Sequence, residues 1–145
     1  MRFGIWLAAA LVAGSAAAWG GSNMASPSLA HSKVFSFDTL AVRHMPNGGE
    51  SRDVVTGTLA TGETVSIHES MQPEGLPPNP AHSIDHSEFI LVMEGTLEYQ
   101  HDGVSETAGP GSVIYVAYGT MHGVRNIGKG PARYAVFAIG GDVKK

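Results

Sequence analysis

Residues 88–104 read EFILVMEGTLEYQHDGV, and this stretch decides the fold. Its first part, residues 89–93, is rich in β-forming side chains and apolar on both faces, which predicts a central strand. Residues 94–95 turn the chain into residues 96–100, which alternate between polar and apolar as a second strand would. The pair Asp102-Gly103 suits the two-residue turn of a hairpin. Together these features predict antiparallel β-structure.

Further short runs of β-forming residues lie on both sides of this stretch. Turn-forming residues separate them, and no stretch after Lys33 shows a helical period. The runs occupy residues 34–37, 54–55, 64–68, 113–116, 124–127 and 134–139. Eight or nine short strands at this spacing predict an all-β, antiparallel sandwich or small barrel.

The composition bounds the chemistry of the chain. It has 145 residues, 43% hydrophobic and 15% charged, which suits one domain with a packed core. The net charge of −4 and the lack of a basic stripe give no support to nucleic-acid binding. Cysteine is absent, which excludes disulfides and thiolate sites, so any metal must bind through nitrogen and oxygen.

The first 18 residues have the pattern of a secretory signal peptide. A basic start precedes an apolar run at residues 3–12 and small residues at 16–18. The run is short for a membrane span, so an uncleaved anchor is the weaker alternative. We therefore expect an exported protein, periplasmic or secreted, with no membrane attachment after cleavage. Residues 19–32 are then a flexible lead-in, and residues 33–145 form the single domain.

Two histidine-bearing clusters carry the chemistry. The first runs from His82 to Glu88, and the second contains His122. If the first is extended, His82, Ile84, His86 and Glu88 share one face. A carboxylate entering an apolar strand needs a partner, because an unpaired buried charge is costly. A divalent cation bound by imidazoles and this carboxylate would supply the partner: Fe, Mn, Ni, Co, Cu or Zn, among which ligand type alone does not choose.

The second cluster resembles the second motif of the cupin superfamily. That motif is a glycine, five residues, proline, any residue, glycine, two residues, histidine, three residues and asparagine. The chain matches it with Gly111, Gly119, His122 and Asn126, and has Ala117 in place of the proline. The resemblance covers about residues 65–139 and implies a jelly-roll β-barrel. The glycines are expected to serve turns, and Asn126 to brace one.

The first cluster resembles the first cupin motif, with one departure. The motif ends in a glutamate, six residues and a glycine, which Glu88 and Gly95 match. It begins with two histidines two positions apart, and three or four residues separate the second histidine from the glutamate. His82 matches the first, but Ile84 replaces the second. His86 lies closer to the glutamate and is a candidate substitute at a different backbone position.

The resemblance implies a metal site with three open alternatives. His82, Glu88 and His122 hold the metal with water completing the shell, or His86 joins as a fourth ligand, or the site is weak or empty. Residues flanking His122 are candidates for the pocket or its rim: Tyr118, Met121 and Arg125. His68 is a candidate barrel-lining residue, and His101, at a polar hairpin tip, is expected to be exposed.

Two functions from different classes follow from the resemblance. One is a metal-dependent oxygenase acting on a small organic molecule, since two histidines and a carboxylate leave open positions on iron. The other is a non-catalytic module that binds a sugar-like molecule or the metal itself, which Ile84 favours. Cupins include both kinds, so the fold does not choose. The resemblance also implies a homodimer, with contact expected near residues 34–37.

Overall fold

The computed structural model describes residues 27–141 and 143. Within them it has nine strands and one short 3-10 helix, Phe37–Thr39. The strands are β1 (Val42–His44), β2 (Glu50–Thr58), β3 (Thr64–Gln72), β4 (Ser87–Glu94), β5 (Leu97–His101), β6 (Val104–Ala108), β7 (Val113–Val116), β8 (His122–Asn126) and β9 (Ala132–Ile139). The expectation of an all-β protein is confirmed.

The strands form two antiparallel sheets. The larger has the order β1-β2-β3-β9-β4-β7, and the smaller has the order β6-β5-β8. β4 lies between β9 and β7, as its apolar sequence predicted. An isolated bridge between His82 and His122 adds the segment before β4 to the edge of the smaller sheet. This bridge brings the two histidine clusters together.

The core lies between the inner faces of the two sheets. Ile90 and Val92 of β4 pack in one cluster with Leu97 of β5 and Val116 of β7, and all four side chains are almost fully buried. Alternate residues of β4 point inward, so the strand supplies its apolar contacts from every second position. Glu88 continues that inward series at the open end of the core.

The hairpin between β5 and β6 has the expected turn. Asp102 has φ of 46° and Gly103 has φ of 78°, so both central residues are left-handed. A two-residue turn of this kind matches the twist of the strands that it joins. The Asp-Gly pair therefore sets the register in which His101 pairs with Val104.

Residues 34–37 do not form the expected strand. Phe37 begins the 3-10 helix, in which Thr39 donates its backbone N–H to the Ser36 carbonyl and Leu40 donates to the Phe37 carbonyl. These local bonds take the place of a strand ladder. The Phe37 ring lies under the Arg52 guanidinium, 4.6 Å from its centroid, so a cation–π contact holds it beside β2.

The signal peptide and most of the lead-in lie before Pro27, outside the described residues. At the start of the described part, Pro27 and Leu29 exchange backbone hydrogen bonds with Thr58 at the end of β2. Within residues 27–141 and 143, no helix has the length and apolarity needed to cross a membrane.

The outer face of the larger sheet carries exposed apolar side chains on β4 and β7. Phe89 is 42% exposed and Tyr115 is 56% exposed, and their rings lie 5.1 Å apart. Val113 and Met93 on the same two strands are also exposed. The apolar sequence of β4 is therefore buried on one face only among the described residues.

Candidate functional site

A pocket of about 290 Å³ opens between the two sheets. One end of its lining holds the sequence-predicted residues Glu88, His122 and His82. The walls add polar side chains from β3 and β9, and the mouth adds Arg43 from β1. The volume is at the small end of the range for ligand sites in proteins.

Glu88 is the second residue of β4, and the pleat directs its side chain inward. The side chain is 12% exposed. One carboxylate oxygen lies 2.9 Å from His86 Nε2, and the other lies 4.0 Å from His122 Nε2. The Glu88 carboxylate therefore lies between two imidazoles, those of His86 and His122.

His122 begins β8, where the motif turn ends, and its side chain is only 3% exposed. Its Nδ1 lies 3.0 Å from the Thr120 carbonyl oxygen. A carbonyl only accepts, so Nδ1 carries a proton and Nε2 is the ring nitrogen that faces Glu88. A backbone carbonyl on the second ring nitrogen is the arrangement that orients metal-binding histidines.

His82 lies beside His122. The two residues exchange backbone hydrogen bonds of 2.9 Å, and their ring centroids are 4.7 Å apart. His82 Nδ1 lies 3.4 Å from the Pro80 carbonyl, a longer contact than that of His122. His82 is exposed, so its ring is the least fixed of the three candidate ligands.

Residues 83–86 do not continue β4 as a strand, which begins at Ser87. The shared face expected for an extended segment is therefore not formed. Ile84 is 8% exposed and belongs to the apolar core, and its carbonyl accepts the Gly119 N–H. The position at which the motif expects a second histidine is thus part of the packing between the two motifs.

The donor types fit a divalent transition metal, but they are not gathered around one point. Among the described residues, no group of three or more His, Asp or Glu side chains is placed to hold an ion. Glu88 and His122 face each other, whereas His86 holds one oxygen of Glu88. Imidazole and carboxylate ligands suit several first-row metals. Loading would require the Glu88 and His82 side chains to reorient.

A network of hydrogen bonds centred on Gln72, on the pocket wall, joins the two sheets. The Gln72 amide donates to the Tyr134 hydroxyl oxygen at 2.9 Å and to the Val124 carbonyl at 3.3 Å. Its side-chain oxygen accepts the Asn126 backbone N–H at 2.9 Å. The Asn126 side chain bonds the carbonyls of Gln72 and Gly130 and accepts the Gly128 N–H, so it braces the turn after β8 as expected.

Burial changes the ionisation of two pocket residues. It raises the pKa of the Tyr134 hydroxyl, so this group stays protonated at neutral pH. It also lowers the pKa of His68, an effect that the nearby Glu88 charge partly opposes. His68 lines the pocket, the position that its alternating strand suggested. A neutral imidazole and a phenol therefore face the cavity.

Tyr118, Met121 and Arg125 lie outside the barrel pocket. Tyr118 is 66% exposed and Met121 is 55% exposed. Met121 lines a separate surface cavity, and Arg125 pairs with Glu98 at 2.6 Å on the outer side of β5. These three residues are close to His122 in sequence, but their side chains do not line the barrel pocket.

The pocket residues that the sequence did not indicate include three polar ones that bear on its chemistry: Arg43, Gln72 and Tyr134. The pattern that could have found the last two is the inward alternation of their strands. Gln72 shares a face with His68 on β3, and Tyr134 shares one with Val136 on β9. Arg43 lies on the three-residue strand β1, for which the sequence has no periodic pattern.

His101 is less exposed than expected, at 23% of its side chain. It pairs in register with His122 on the neighbouring strand, so both face the same side of the smaller sheet. Its ring stacks on Tyr99 with centroids 4.6 Å apart. Nε2 lies 2.8 Å from Glu106 and Nδ1 lies 3.4 Å from Asp102. These hydrogen bonds, that of Glu106 first, raise the pKa of His101.

The raised pKa of His101 predicts a dependence of stability on pH. The folded pKa lies above the unfolded value of about 6.5, so the stabilisation is complete below that pH and disappears as pH rises through the folded pKa. Glu106→Gln should lower the pKa, measured by proton NMR titration of the ring. Glu98→Gln, on the opposite face of β5, should leave it unchanged. Equal titration in wild type and Glu106→Gln would refute the assignment.

Solved structures with this architecture share little sequence with the chain. KdgF from Halomonas sp. has a TM-score of 0.63 at 16% identity, over 74% of this chain and 94% of that one. The polyketide cyclase RemF from Streptomyces resistomycificus has a TM-score of 0.61 at 17% identity, over 75% and 80%. An RmlC-like cupin from Shewanella frigidimarina has a TM-score of 0.59 at 20% identity, over 74% and 91%.

These likenesses support the fold and leave the activity open, because one fold serves different activities. No curated protein matches the chain. A family comparison matches residues 67–139 to the cupin domain. This match spans both motifs and half of the sequence, and the chain belongs to the cupin family.

Proposed function

We propose that this cupin binds a small organic molecule in the barrel pocket beside a divalent transition metal held by His82, Glu88 and His122. The observation that carries the proposal is the buried pair of Glu88 and His122, 4.0 Å apart at the inner end of the pocket. Both residues are nearly inaccessible, yet they line a cavity. Polar groups placed this way serve a ligand more readily than they serve folding.

The reaction that we propose is an oxygenase reaction on the bound molecule. An iron ion with three protein ligands would supply the redox chemistry at its open positions. The protein's own residues hold the reactants: the Thr120 carbonyl fixes the His122 ring, and His86 holds Glu88 and is available as a fourth ligand. The Tyr134 hydroxyl, fixed by Gln72, keeps its proton for the bound molecule.

Metal content tests the proposal. Wild-type protein loaded with Fe(II), Mn(II) or Zn(II) and freed of excess metal should retain close to one ion per chain by elemental analysis. Glu88→Ala and His122→Ala should each lose it, and Glu98→Ala, on the outer side of β5, should not. Protein that fails to load with any of the three ions would refute the metal site. Oxygen uptake by the iron-loaded protein with phenols, thiols and diketones then tests turnover.

A second candidate function is non-catalytic binding of a small molecule. Ile84 in the core and the 2.9 Å contact between His86 and Glu88 favour it. This hydrogen bond gives the buried carboxylate a partner without a metal. Under this candidate, the pocket binds its ligand equally well in protein treated with a chelator, and no oxygen is consumed.

We also propose export and a homodimer. Export is supported by the pattern of residues 1–18, and a mature N-terminus at Trp19 in protein from the native envelope would test it. The dimer is supported by the exposed apolar face of β4 and β7 and by the exposed Phe35 and Phe37, apolar groups that a second copy would cover. Light scattering after gel filtration would test it.

A further inference from the structure

We propose that the barrel pocket selects small organic anions, carboxylates above all, and that Arg43 is the residue that recognises the charge. The inference rests on the proposed function in one respect, that the pocket binds a small molecule. It adds the chemical class of that molecule and a residue that neither motif contains.

Arg43 lies at the pocket mouth with spare hydrogen-bonding capacity. Its guanidinium makes long contacts, 3.2 Å to Ser51 Oγ and 3.4 Å to an Asp53 carboxylate oxygen. Asp53 is 77% exposed and Arg43 is 58% exposed, so this ion pair is weak and easily exchanged. A guanidinium has five N–H donors in a planar fork that matches a carboxylate. One Nη1–H also contacts Met45 Sδ at 3.7 Å, so the Nε–H and the second Nη1–H remain for a ligand.

The other arginines of the described residues are engaged elsewhere. Each has a carboxylate partner closer than that of Arg43, and none lines the barrel pocket. Arg52 lies 3.1 Å from Glu50, Arg125 lies 2.6 Å from Glu98, and Arg133 lies 3.2 Å from Glu94. Among the described residues, Arg43 is thus the one arginine that lines this pocket, and its carboxylate contact is the longest of the four.

The pocket lining includes two carboxylates, each with a partner: Glu50 lies 3.1 Å from Arg52, and Glu88 lies 2.9 Å from His86. The wall adds neutral donors beside them. The Gln72 amide donates to the Tyr134 oxygen, which leaves the hydroxyl hydrogen of Tyr134 to the neighbouring Ser70 hydroxyl or to a ligand acceptor. The His68 ring makes no hydrogen bond within the described residues and faces the same cavity. Burial keeps the phenol protonated. Two neutral donors beyond a guanidinium suit a ligand with several acceptor oxygens.

The size and lining of the pocket favour a compact anion over a sugar. A volume of 290 Å³ corresponds to about ten water molecules at about 30 Å³ each. Sugars are usually held by an aromatic face, and Tyr134 is the only Phe, Tyr or Trp in the described lining. A carboxylate of about two to six carbons would fill the space while its charge reaches Arg43.

Binding of matched pairs tests the inference. The probes are glycolate, malonate, succinate and 2-oxoglutarate, each with its neutral amide, measured by ligand-observed NMR on wild-type, metal-free protein. At least one acid should bind at least about tenfold more tightly than its amide, a difference of about 1.4 kcal/mol. Arg43→Gln should remove the preference. Arg133→Gln, on the outer face of the larger sheet, should preserve it.

The outcomes separate the inference from the proposed function. Absence of binding by every acid, or equal binding of acids and amides, overturns the inference. Acid binding that survives Arg43→Gln overturns the role of Arg43. Each of these results leaves the metal-loading test of Glu88 and His122 untouched. Conversely, failure to load metal, with acid preference intact, refutes the metal site and keeps the anion pocket. Circular dichroism confirms that each variant folds.

Discussion

Replacing Gly95 with alanine is expected to destabilise the protein by about 2–5 kcal/mol, the sum of backbone strain and overlap. Gly95 has φ of 79°, which an alanine adopts only at a cost. An added Cβ would also lie 2.7 Å from both the Ala132 Cα and the Pro131 carbonyl oxygen. These are backbone atoms of the segment that begins β9, so they cannot move aside without shifting the strand. Urea unfolding monitored by circular dichroism measures the loss.

Gly111 is the matched control for this substitution. It is a motif glycine too, with φ of 83°, but a Cβ there would meet nothing within 4 Å. Gly111→Ala should therefore cost only the backbone strain, about 1–2 kcal/mol. The difference between the two losses of unfolding free energy measures the cost of the overlap at Gly95, where the turn after β4 passes close to β9. Equal losses would show that the contact with Ala132 and Pro131 contributes nothing.

The two glycines show what a motif can predict. The spacing from Glu88 to Gly95 follows from the length of β4: the chain must run from the open end of the barrel to a turn that passes close to β9. Alternation and turn chemistry are local properties, so the hairpin at Asp102 and the central place of β4 were predictable. The shared pocket of Glu88 and His122 was implied by the resemblance to the two motifs, not by these local features.

The rest of the site depends on contacts between segments distant in sequence. Residues 34–37 carry β-forming side chains, but a cation–π contact with Arg52 and local turn bonds decide their conformation. His101 ends β5 beside a polar turn, and its register with His122 shows that it faces the inner side. Arg43 reaches the pocket because β1 pairs with β2, a fact that three residues of sequence do not reveal.

Ile84 is the residue on which the two candidate functions diverge. The motif places a metal-binding histidine at this position, whereas the structure places an apolar side chain of the core there. Without a second histidine, Glu88 is held by His86, which lies two residues away. A buried carboxylate with an imidazole partner needs no metal to compensate its charge. The apolar Ile84 and the contact between His86 and Glu88 are therefore both consistent with a barrel that holds no metal.

Ile84→His is therefore expected to raise metal affinity by about tenfold or more, equivalent to about 1.4 kcal/mol or more of binding free energy. The same change buries a polar ring in the core, so the metal-free variant should lose about 1–3 kcal/mol of stability. Zinc should restore much of this loss, because binding to the folded state alone stabilises it. Titration calorimetry with Zn(II) and thermal unfolding with and without the ion measure both effects.

Ile84→Gln is the control, because it is polar and of similar size but lacks an imidazole. It should be destabilised to a similar degree and gain no zinc affinity. A gain confined to Ile84→His would mean that the native barrel has a metal site weakened at one ligand, since the other ligands must already converge there. If the folded Ile84→His variant binds zinc no better than wild type, position 84 does not face the donors. His86 would then be the side chain that completes the site around Glu88.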